Sequence, residues 1–122
     1  METINNPFLE GQPNEKSEVR YIFDNSLNRT NEQKHVFKFL IYMKLHKDEM
    51  IYDMLKDLII GHIGEQSFDL IEKCYIDTYN PTTKVFARYS YLESKQQCGD
   101  IINSFNVIFS LMGDINQLIR DY

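Results

Sequence analysis

Along the chain, apolar positions recur at helical spacing in three places and alternate with polar ones in a fourth. In "RTNEQKHVFKFLIYMKL", Thr30 and Gln33 have the spacing of a capping box, and Val36, Phe37, Leu40, Ile41 and Leu45 then repeat by three and four. This predicts a helix over about 31–45. After the interruption "HKDE", Ile51, Met54, Leu55, Leu58, Ile59 and Ile63 line one face of a second helix, about 48–62, with Gly61 and Gly64 as stop residues. Two amphipathic helices joined by so short a link form an antiparallel pair, spanning about 31–62.

The C-terminal pattern is the longest. Ser94 and Gln97 repeat the capping-box spacing, and Cys98, Ile101, Phe105, Ile108, Met112, Ile115, Ile119 and Tyr122 step by three and four in alternation. Ile102, Phe109, Leu111 and Leu118 widen the stripe, and residues 101–113 contain no charge. One long helix over about 94–121 is expected, central to a bundle or shared with a second copy of the chain through the seam Ile101, Phe105, Ile108, Met112, Ile115 and Ile119.

Between these helices, "CYIDTYNPTTKVFARYSYL" is dense in tyrosine and β-branched residues, and Asn80-Pro81 is a turn signal. A β-hairpin over about 73–91 with the turn at 80–83 sets Tyr79 opposite Lys84. Cys74, Ile76, Val85, Ala87 and Tyr89 then share an apolar face, and Tyr75, Tyr79, Phe86 and Arg88 lie on the other, where they could contact a partner. The same residues also fit helical spacing, so an all-α chain is the alternative. Residues 65–71 make a short helix or turn. The expected architecture is mainly α: a small helical bundle with one hairpin.

Residues 1–20 are rich in Asn, Gly, Pro and Glu and hold few apolar positions, which predicts a flexible tail ahead of a single helical domain over 21–122. Residues 19–27 add at most a short helix or strand. With 122 residues, 43% of them hydrophobic and 25% charged, one domain with one core is the natural reading.

A net charge of −5 with no basic arm argues against nucleic acid, whose backbone is captured by clustered Lys and Arg. The N-terminus has no basic region followed by an apolar run, and no apolar stretch reaches about 18 residues. A cytoplasmic protein without a membrane partner is therefore expected, with Cys74 and Cys98 as reduced thiols.

Candidate chemistry is sparse. Arg29 and His35 have an Arg-x5-His spacing that resembles the motif of HEPN-type ribonucleases, in which such a pair would act on a scissile phosphate. Here Arg29 precedes the helix start, so the pair lacks the held geometry that acid–base work requires. Glu32 and His35 form one Glu-x-x-His step of the kind used in di-iron bundles, but no second step accompanies it. Phosphate loops, nucleophile elbows and zinc spacings are absent from the sequence. Hence no enzyme, metal or cofactor is expected.

What remains is binding. Glu49, Asp53 and Asp57 recur every four residues, a row of like charge that costs the second helix a few tenths of a kcal/mol per pair. This row and the hairpin face Tyr75, Tyr79, Phe86 and Arg88 are the candidate contacts for another protein. The expected function is a small protein-binding protein of inhibitor, immunity or adaptor type, with a dimeric winged-helix DNA-binding regulator as the alternative. Against that alternative, residues 65–71 hold no Lys or Arg with which to read a groove.

Overall fold

Thr30 opens the first helix as its sequence promises: Gln33 N donates to Thr30 Oγ1 at 3.1 Å and Thr30 N to Gln33 Oε1 at 3.4 Å. In the computed structural model, which describes residues 30–86 and 92–122, this cap starts α1, Asn31–Leu45. The link 46–49 leads to α2, Met50–Ile63, followed by α3, Glu65–Ile71. A π-helical turn, Glu72–Ile76, and a hairpin of β1, Tyr79–Asn80, and β2, Val85–Phe86, come next. The chain ends in α4, Lys95–Ser110, and α5, Met112–Asp121. The protein is thus a mainly α helical bundle with one small hairpin. Residues 1–20, the 19–27 element, Arg29, Ala87, Arg88 and Tyr89 lie outside the described residues.

Helix α4 is the central element, packed against α1, α2 and α3, while α5 lies on α2. Val36, Phe39, Leu40 and Met43 of α1, Ile51, Leu55 and Ile59 of α2 and Ile101, Phe105 and Ile108 of α4 share one core, in which α1 and α2 each pack on α4. The buried stripe of α1 is therefore rotated from the expected one toward Phe39 and Met43, and Leu45 is exposed. Gly64 joins α2 to α3. Its φ of 89° and ψ of 160° lie in backbone territory essentially restricted to glycine, and its N–H donates to Ile60 O at 2.9 Å.

Two expectations need correction. The first concerns the hairpin over 73–91: Cys74, Tyr75 and Ile76 are helical, not extended, with Asp77 N donating to Glu72 O at 2.8 Å in the i→i+5 manner. Thr78 Oγ1 then donates to Cys74 O at 2.7 Å and ends the turn. The pairing is Tyr79 with Phe86 and Asn80 with Val85, two residues from the expected register. Asn80 is the cause. Its side-chain oxygen accepts from Thr82 N at 2.9 Å and its carbonyl from Lys84 N at 2.7 Å, so the loop is Pro81 to Lys84, with Lys84 at φ 58°.

The sorting of faces holds only in part, since Cys74 and Ile76 are buried as expected but so are residues of the face expected outward. Tyr75 and Tyr79 are buried and Phe86 half-buried, whereas Val85, expected inward, is 53% exposed. Tyr75, Phe86 and Phe105 surround Phe37 with ring centroids 5.4 to 5.5 Å away, and Tyr79 joins through Phe86 at 5.2 Å. Five aromatic rings bury far more area than the β-branched face could, and their edge-to-face contacts add to it.

The second correction concerns the expected single helix over 94–121, which is broken at Leu111 (φ −92°, ψ 0°). Ser110 Oγ donates to Val107 O at 2.6 Å, drawing on a carbonyl that also serves the helix ladder. The buried Leu111 side chain fills the bend. Of the expected seam, Ile101, Phe105, Ile108 and Ile115 are buried within this single chain, and Met112 and Ile119 are half-buried against the same core.

Candidate interaction surface

The link 46–49 presents two sides. On the inner side, Lys47 Nζ reaches Glu72 Oε2 at 3.1 Å and also bonds Asp77 Oδ1, while Tyr52 OH donates to Glu72 Oε2 at 2.6 Å. The link and the first turn of α2 are thereby tied to the π turn. Burial alone would lower the Lys47 ammonium, but its hydrogen bonds to Asp77 and Glu72 raise it above the usual range. Burial also raises the Tyr52 phenol, and its hydrogen bond to the Glu72 carboxylate adds to this, so it stays protonated as a donor.

On the outer side, His46 Nδ1 lies 3.0 Å from Glu49 Oε2, and the His46 ring stacks on Tyr42 with centroids 4.2 Å apart. Tyr122 OH, from the C-terminus of α5, donates to Glu49 Oε1 at 3.4 Å. Burial, with Glu49 and Tyr122 close by, raises the Tyr42 phenol. Leu45 and Met50 flank the link and are 55% and 69% exposed. Asp53, Met54 and Asp57 continue the exposed face of α2. Glu49, Asp53 and Asp57 thus lie beside apolar and aromatic groups, the mixture found at protein interfaces.

Family models, curated proteins and solved structures gave no match to the chain. No group of three or more His, Cys, Asp and Glu among the described residues is placed to hold a metal ion. No described helix is long and apolar enough to cross a membrane. His35 is exposed and faces Phe109 with centroids 6.2 Å apart, while its sequence partner Arg29 lies outside the described residues.

The structure divides the expected contact residues. Glu49, Asp53 and Asp57 are exposed together on α2. Tyr75 and Tyr79 are core residues, and Phe86 contacts Phe37, Tyr75 and Tyr79, so these rings do not form an outward face. Arg88 is not among the described residues. Tyr42, Leu45, His46, Met50 and Tyr122 were not anticipated. The i, i+4 spacing of Tyr42 and His46 was visible in the chain, but the approach of Tyr122 depends on how α5 folds back.

Proposed function

We propose that the chain is a non-enzymatic protein-binding protein that acts by covering a surface of its partner, as inhibitor, immunity and adaptor proteins do. The observation that carries this reading is the exposed set Leu45, Met50, Met54 and Tyr122 around the His46–Glu49 pair, on a link tied down by Lys47, Glu72 and Tyr52. Apolar and aromatic side chains on a fixed scaffold lose little freedom on binding, and methionine adapts to an irregular partner. The carboxylates of Glu49, Asp53 and Asp57 select a partner with an apolar patch and a basic rim. The reading includes a cytoplasmic setting, in which the buried Cys74 and Cys98 remain thiols.

The winged-helix alternative gains no support, because α3 has no Lys or Arg and is only seven residues long. The test is affinity capture from the native host with the wild-type chain and with Met50→Lys and Asp53→Lys/Asp57→Lys. A partner captured by the wild type is expected to be lost, or held about tenfold more weakly, by each variant while the helical circular-dichroism signal is unchanged. Equal capture by all three chains sinks the reading.

A further inference from the structure

A cleft of about 170 Å³ opens where the C-terminus of α2, the short α3 and the middle of α4 meet. It lies at the opposite end of α2 from the link, roughly 20 Å away along the helix axis. Asp100, Asn103 and Ser104 of α4 and Ser67 of α3 supply its polar wall, with His62 at the mouth. Ile63 and Val107 supply the apolar wall. No Lys or Arg lines it, and α3 adds Glu65 and Asp69 without any cation.

We infer that this cleft receives a lysine or arginine side chain of a partner protein. The volume exceeds that of several waters, so a side-chain-sized group can enter. Gln96 Nε2 donates to Asp100 Oδ1 at 3.3 Å, steadying the carboxylate from one helical turn away. Ser104 is only 4% exposed and lines the cleft. A cation on an aliphatic stem answers every wall at once: the stem lies on Ile63 and Val107, and the charged head meets Asp100, Ser104 and the Asn103 amide. An anion would face Asp100 with no Lys or Arg in the lining to offset it. A purely apolar anchor would strip water from Asp100 and Ser104 without replacing their hydrogen bonds.

The inference deepens the protein-binding reading and rests on it, but it is tested separately. The full-length chain, labelled with nitrogen-15, is titrated with N-acetyl-lysine methylamide and N-acetyl-arginine methylamide, with N-acetyl-norleucine methylamide as the uncharged control. Saturable amide shifts at Ser67, Asp100, Asn103 and Ser104 are expected with the two cations. In Asp100→Asn the affinity should fall about tenfold, with helicity retained. Ser104→Ala, which removes the hydroxyl from a buried site, should weaken binding without lowering the melting temperature.

Equal shifts with norleucine, unchanged affinity in both variants, or shifts confined to Glu49, Asp53 and Asp57 would each overturn the assignment. Partner capture lost in Met50→Lys with no cation in the cleft means that the cleft assignment fails and the protein-binding reading stands. A cation seated in the cleft with no partner captured by any of the three chains would overturn the protein-binding reading and, with it, the assignment of the cleft to a partner's side chain.

Discussion

Tyr52 shows how one hydroxyl can decide what a helix buries. The apolar pattern of α2 leaves it out, yet it is only 5% exposed, because its donation to Glu72 satisfies the one polar atom that burial would strand. Lys47 completes the arrangement by pairing with the same carboxylate. Both groups have folded-state pKa values raised above their unfolded ones, so both hold their protons longer when folded. Their contribution is complete below about pH 10 and fades as pH rises beyond it, since the unfolded chain then releases protons that the folded chain keeps. Urea titrations between pH 8 and 11 should show stability falling above about pH 10. Tyr52→Phe should flatten that slope and cost about 1–3 kcal/mol at neutral pH, because Glu72 loses a donor. An unaltered slope in Tyr52→Phe would remove this account.

At the scale of elements, the joints carry the information that periodicity lacks. Gly64 caps α2 and starts α3 in a conformation closed to other residues, although a Cβ there would touch nothing within 4 Å. The cost of Gly64→Ala is therefore backbone strain alone, about 1–3 kcal/mol, and thermal unfolding should show it as a fall of several degrees in Tm. No change in Tm would mean that the α2–α3 joint relaxes at no cost. The joint at Leu111 and the π turn at 72–76 arise differently. Both depend on which carbonyl a neighbouring group takes, Ser110 on Val107 and Asp77 N on Glu72, and such choices leave no mark in the spacing of apolar residues. Helix α1 and both capping serine or threonine signals were legible because they act within four residues. The hairpin was legible as an element, but its register was set by hydrogen bonds to Asn80 rather than by the pattern of its flanks.

For the whole molecule, the C-terminal stripe is the decisive feature. A seam of three and four spacing fits either a partner helix or the inside of a bundle, and here α1, α2 and α3 cover the half of it on α4 while α2 covers α5. A solution mass of 14.5 kDa is accordingly expected at micromolar concentration by sedimentation. A stable dimer that dissociates on Met112→Glu or Ile119→Glu would show that the half-buried end of the seam has a second role. The same folding-back brings Tyr122 to Glu49, 73 positions away in sequence, and so completes the outer side of the link.

By itself the sequence determined the helix starts at Thr30 and Ser94, a stop at Gly61 or Gly64 of which α2 runs through the first and ends at the second, the apolar character of residues 101–113 and the exposed acidic row on the second helix. These follow from capping, backbone sterics and periodicity, all of which act over a turn or two. Only the tertiary structure decided that the described aromatic residues of the 73–91 segment turn inward, where the last helix breaks, and that Tyr42, His46, Glu49 and Tyr122 meet. Those outcomes compare the area buried by alternative packings of distant elements, and five aromatic rings from α1, the π turn, the hairpin and α4 prevailed over the β-branched alternation that the local pattern favoured.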